Sequence, residues 1–138
     1  MKIVMSLLIL LTTTPVFASN VSFSCKMKNG NATIGGTASN DKISVQIVDE
    51  ENALDISDYS GDQVHTFERV VRKKEATYAF AKYYNDNHPT LGLSLSIPKD
   101  LLALGSDQFS AFLTVYSDDG DVMVPSDAVT FICKMYDR

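Results

Sequence analysis

The chain has 138 residues, 45% of them hydrophobic, with 12 basic and 17 acidic residues and a formal net charge of −5. That balance speaks against general nucleic-acid binding, whose salt-dependent affinity needs basic surface. Two histidines and two cysteines leave little material for histidine- or thiol-based catalysis.

At the N-terminus, Lys2 precedes the apolar run Ile3 to Leu11, then Thr12 to Pro15 and a Val16-Phe-Ala18 ending. These are the charged, hydrophobic and small-residue regions of a secretory signal peptide. Cleavage is expected after Ala18, which makes residues 1–18 a leader and residues 19–138 a single disulfide-linked β domain. The apolar run is about half of the roughly 20 residues that cross a bilayer, and no later stretch is long and apolar enough, so no membrane span is expected. No cysteine follows the cleavage point to accept a lipid anchor. Loss of Lys2 with the leader takes the net charge from −5 to −6. The product is expected to be periplasmic or secreted.

Val21-Ser-Phe-Ser-Cys-Lys-Met-Lys28 opens the domain, and Asn29-Gly30 after it signals a two-residue hairpin turn. Ile43, Val45 and Ile47 alternate with polar residues, the period of a half-buried strand. Next comes an acidic segment with Asp41, Asp49, Glu50, Glu51, Asp55, Asp58 and Asp62 against Lys42 alone. Its oxygens suit Ca²⁺, but the regular spacing and terminal glutamate of an EF-hand loop are missing. It reads as a solvated connection, and no metal is assigned.

Val64 to Arg72 and Ala76 to Tyr84 flank Lys73-Lys74-Glu75 and read as a third hairpin, although the alanines also permit a helix. This stretch carries Arg69, Arg72, Lys73, Lys74, Tyr78, Lys82, Tyr83 and Tyr84, the candidate partner-binding residues. Tyrosine offers rigid contact area with a hydrogen-bonding tip, and arginine and lysine add charge. The competing explanation is that Arg72-Lys-Lys74 protects an exposed strand edge from aggregation. Asn85 to Pro89 then reads as a turn.

Leu93, Leu95 and Ile97 alternate with Gly92, Ser94 and Ser96 as a further strand. A helix of about two turns is expected near 98–104, with Pro98 at its first position, Leu101, Leu102 and Leu104 on its apolar side and Gly105 as its cap. Phe109, Ala111, Leu113 and Val115 mark another strand, and Asp119-Gly120 a second hairpin turn. The last strand, Val129-Thr-Phe-Ile-Cys-Lys-Met-Tyr136, matches the first at five of eight positions and holds the second cysteine.

In an exported chain an even cysteine count makes a Cys25–Cys133 disulfide the expected state. Met27 and Met135 share the cysteine faces, so a soft Cu(I) site is the alternative. Val21, Phe23, Val129 and Phe131 lie on those same faces, however, which places the methionines in a core beside the bridge. With the register centred on the cysteines, antiparallel pairing sets Phe23 against Met135 and Met27 against Phe131, and this arrangement is favoured over a parallel one.

The fold class is therefore all-β, an antiparallel sandwich or small barrel of about eight to ten short strands. His65 and His88 lie in no ligand or catalytic spacing, and no nucleophile elbow or phosphate loop occurs. The sequence leads to a non-enzymatic binding protein, monomeric and without cofactor, contacting a protein or glycan; one form is an inhibitor of an envelope-directed hydrolase. The alternative is a structural subunit of a cell-envelope or surface assembly.

Overall fold

In a computed structural model, residues 20–39, 41–70, 80–88, 91–101, 104, 106–119 and 122–136 are described. The signal-peptide reading of residues 1–18 falls outside them. Nine strands follow one another: β1 (Val21–Met27), β2 (Thr33–Ala38), β3 (Lys42–Val48), β4 (Val64–Val70), β5 (Phe80–His88), β6 (Leu91–Pro98), β7 (Gln108–Asp119), β8 (Val122–Pro125) and β9 (Val129–Tyr136).

Strands β1 to β7 form an antiparallel meander, each paired with the next. Along its second edge β7 meets β9 through Gln108 to Leu113 and β8 through Tyr116 to Asp119. Strands β8 and β9 thus act as one interrupted strand. At the break Ser126 donates its N–H to the Val115 carbonyl at 2.7 Å and accepts the Val115 N–H on its hydroxyl at 3.0 Å. Pairing of β9 with β1 then closes eight strands into a barrel.

The seam carries the disulfide. Cys25 and Cys133 are directly opposed in the antiparallel β1–β9 pair, with Phe23 opposite Met135 and Met27 opposite Phe131, the register favoured from the sequence. The bond is formed, with Cα atoms 3.9 Å apart. Lys28 donates to the Thr130 carbonyl in the same register, so ladder hydrogen bonds fall on the even positions of β1. Cys25 is at a non-hydrogen-bonded pair, where the strands approach to about 4.5 Å and side chains lie closest. The disulfide points to an oxidising, extracytoplasmic environment.

Alternation sends one face of β1 to β7 and of β9 into the barrel. Phe23, Ile34, Ile43, Val45, Ile47, Phe67, Leu93, Leu95, Ile97, Leu113 and Phe131 are all buried there. An eight-stranded ring has an interior that side chains just fill, and here they fill it. Gly36 also points inward, between Phe23 and Val45. Hydroxyls and lysines point outward, the reverse of a lipid-facing barrel wall. No helix among the described residues is long and apolar enough to cross a membrane.

Three local expectations are corrected. Pro98 ends β6 instead of opening a helix; beyond it, one 3₁₀ turn at Leu101 takes the Leu104 N–H on the Leu101 carbonyl at 3.3 Å, while Leu102 and Gly105 lie outside the described residues. The Leu95 and Ile97 alternation simply runs on to the proline, which a strand end tolerates. Asn29-Gly30 is not a two-residue turn: Met27 N–H bonds to the Ala32 carbonyl at 2.8 Å around a four-residue loop, and neither residue has a positive φ. Asn85 to His88 belongs to β5, with a register shift there; buried Asn85 donates its amide to the Thr66 carbonyl at 2.7 Å and accepts the Asn87 N–H. The amide thereby ties β5 to β4 next to the shift in the β5–β6 register.

The acidic segment is only partly a solvated connection. Leu54, Ile56 and Tyr59 from it are buried and cap one barrel end. Asp49 is 6% exposed, and its carboxylate accepts the N–H groups of Ala53 at 2.9 Å and Leu54 at 2.8 Å. Asn52 and Asp55 take the positive φ that their side chains tolerate.

Candidate functional site

Strand alternation divides the basic aromatic stretch. Tyr83 faces the core at 3% exposure and reaches the Ser39 carbonyl with its hydroxyl, so it offers nothing to a partner. Arg69, on an inward position of β4 opposite Tyr83, lines a cavity of about 50 Å³ at the barrel end with Tyr83 and Lys99. That space holds a few waters, not a metabolite. Lys82 and Tyr84 point outward together. Arg72, Lys73, Lys74 and Tyr78 lie outside the described residues.

Around Lys82 and Tyr84 the wall has a definite architecture. Strand β6 presents Gly92, Ser94 and Ser96 outward, and these small residues form a floor between β5 and β7. In register, Lys82 and Phe112 flank Ser96, Tyr84 and Thr114 flank Ser94, and Tyr116 stands opposite Gly92. Large side chains therefore meet across the floor. Phe80 and Phe112 pack edge to face at 5.3 Å, and Tyr84 and Tyr116 do the same at 5.6 Å and 81°. A Cβ on Gly92 would lie 2.6 Å from the Tyr84 hydroxyl oxygen, so the phenol lies directly over this glycine and would have to move aside for a side chain there. Between the two aromatic pairs, Lys82 donates to the Tyr116 hydroxyl at 2.6 Å.

Charge sets this wall apart. From Phe80–Tyr84 on β5, through β6, β7, β9, β1 and β2 to β3, no outward-pointing described side chain is a carboxylate, whereas Lys26, Lys42, Lys82 and Lys134 all point out. Among the described side chains the carboxylates lie at the barrel ends, on β4 and, as Asp86, on β5 beyond Tyr84. Burial raises the Tyr84 hydroxyl above the usual tyrosine range, with Asp86 and Tyr116 adding to it, so the phenol stays a neutral donor at physiological pH.

The other barrel end brings the two histidines to one cleft of about 340 Å³ with Asp58 and Tyr59. His88 Nε2 lies 3.1 Å from an Asp58 carboxylate oxygen, and the His65 ring packs 5.0 Å from that of Tyr59. These contacts tie the β3–β4 connection to the end of β5. Among the described residues no group of three or more His, Cys, Asp or Glu is placed to hold a metal ion.

Tyr59 donates its hydroxyl to the Leu91 carbonyl at 2.9 Å from a buried position. Burial, above all, raises its pKa beyond the usual 10.0. The folded state then holds this proton more tightly than the unfolded chain, so its contribution is intact below pH 10.0 and is lost as pH rises above it. Urea unfolding at rising alkaline pH should show stability falling in that window. Tyr59→Phe, which cannot ionise, should flatten the fall; an unaltered slope would exclude Tyr59 as its source.

Sequence inspection missed Phe80, Phe112 and Tyr116. Their only signal is that each takes an outward position of a strand beside β6, which cannot be known before the pairing is. Compared with known proteins, the chain matches no family model, no curated protein and no solved structure.

Proposed function

We propose that this protein is an exported, non-enzymatic binding protein, and that its partner, a protein or glycan of the envelope or the extracellular medium, docks on the outer wall of β5, β6 and β7. The observation that carries this reading is the Tyr84–Tyr116 pair with Lys82 fixed beside it. Tyrosine and a pre-positioned cation supply contact area and hydrogen bonds with little side-chain entropy left to lose on binding. The filled barrel interior directs recognition outward. An inhibitor of an envelope-directed hydrolase is one concrete form, since such a protein needs a rigid contact surface and no chemistry of its own.

Capture from envelope extract tests it. The oxidised domain is expected to retain a specific partner that Lys82→Glu with Tyr84→Ala and Tyr116→Ala loses, with all variants equally folded by circular dichroism. Equal capture by the triple variant would remove this face from the reading.

The second reading, a subunit of an envelope or surface assembly, is favoured by β8, which pairs only with β7 among the described strands and so offers a backbone edge to another chain. Sedimentation separates the two. A concentration-independent monomer supports the binding protein, and ordered oligomers support the assembly.

A further inference from the structure

The Cys-Lys-Met sequence occurs in both terminal strands, yet the disulfide accounts only for its cysteines and the core only for its methionines. Both lysines remain. Because the cysteines point inward from directly opposed positions, Lys26 and Lys134 both point out, next to the bridge on its solvent side. Lys26 stands opposite Ile132, and Lys134 follows Ile132 by two residues, so the lysines are diagonal neighbours about 7–8 Å apart along the strand pair. Neither makes an ion pair among the described residues. Lys134 lies 6.0 Å from the Tyr136 ring centre, and the Tyr136 and Ser24 hydroxyls are 3.2 Å apart.

Directly opposite Lys26 and two residues before Lys134 sits Ile132, an apolar side chain left 43% exposed. Gly35 on the neighbouring strand has no side chain to cover this region, and a groove of about 420 Å³ runs there, lined by Lys26, Lys134, Ile132, Gly35 and Gln108. Its floor is the disulfide-bonded strand pair. A cross-linked floor has little freedom to lose when a ligand is ordered on it.

We infer that this groove binds an extended acidic segment of a protein partner, with carboxylates at alternate residues, on the face turned toward the barrel, reaching Lys26 and Lys134. In an extended chain, same-face side chains repeat every two residues, about 6.4–6.8 Å, close to the lysine diagonal. No outward-pointing described side chain of β1, β2 or β9 is a carboxylate, so none among the described residues competes for the two lysines. Lysine ammonium groups bind such carboxylates as point charges, so the contact weakens with salt. The groove reaches β7 only at Gln108 and includes none of Lys82, Tyr84 or Tyr116, so its failure would leave the capture experiment on those residues unaffected.

The probe is a fluorescently labelled Glu-Leu-Glu-Leu-Glu peptide, titrated with oxidised protein by anisotropy at low and at physiological salt. Saturable, salt-weakened binding is expected, and Lys26→Glu with Lys134→Glu should reduce the affinity by about tenfold or more through like-charge repulsion. Lys82→Glu, on the other face, should leave it unchanged. Both lysines are exposed, so these variants keep the core intact, which near-ultraviolet circular dichroism verifies. The inference is overturned if the wild-type protein does not bind the peptide or if the double variant binds equally well. It is overturned too if dextran sulfate binds through these lysines while the peptide does not, which would make the ligand an anionic glycan.

Discussion

Replacing Cys25 and Cys133 by serine is expected to lower the unfolding free energy by about 4–5 kcal/mol, the loop-entropy value for a cross-link spanning 108 residues. That approaches the whole stability of a small domain, typically about 5–15 kcal/mol. The position of the bond adds to its effect. In a barrel built as a meander, β1–β9 is the one pairing that sequence proximity does not help, and the disulfide crosses that seam. Without it, fluctuation of the seam exposes the edges of β1 and β9, which are templates for association. Urea unfolding of oxidised protein beside the Cys25→Ser/Cys133→Ser variant, with light scattering, should show a much lower midpoint and earlier aggregation. Superimposed curves would show that the seam holds on packing alone.

Gly36→Ala should cost roughly 1–3 kcal/mol, whereas Gly35→Ala beside it should be neutral or stabilising by up to about 1 kcal/mol. Gly36 points into the barrel, where an added Cβ would run into the Ser44 carbonyl oxygen and lie 2.8 Å from Val45 Cγ1. Relief would require β2 and β3 to separate. At Gly35 an added Cβ would find nothing closer than the Phe23 carbonyl oxygen at 4.0 Å. The contrast tests the inward and outward assignment of β2 directly, because a register slip by one residue would exchange the two outcomes. Equal urea midpoints for the two variants would contradict the assignment.

The echoed terminal strands made their own pairing legible. Alternation around Cys25 and Cys133 fixed which residues share the bridge face, and opposing the cysteines set the rest of the register. What alternation leaves open is how a set of strands closes, since a sandwich and a barrel both need one apolar face. Here closure depends on the β9–β1 seam together with a sequential meander, and Gly36 provides the close approach of β2 to β3 that a tightly curved wall demands. The candidate surface was half legible. Charge and tyrosine content located Lys82 and Tyr84, while the period-two geometry that sends Tyr83 inward was available from the same residues. Tyr116 and Phe112 could not be joined to them, because they arrive from a strand more than twenty residues away. Asp49 lay hidden in an acidic run whose other members are exposed; only the loop geometry shows that its carboxylate satisfies two backbone donors inside the cap.

Site-specific photo-crosslinking in cells that produce the protein tests most directly whether the proposed wall is the contact surface. Thr114 points outward on β7 between Phe112 and Tyr116, and Glu51 is exposed at the barrel end. With a photoreactive phenylalanine analogue at each position in turn, the account predicts a discrete adduct from position 114 and none from position 51. An adduct from position 51 alone would place recognition at the acidic cap and contradict it.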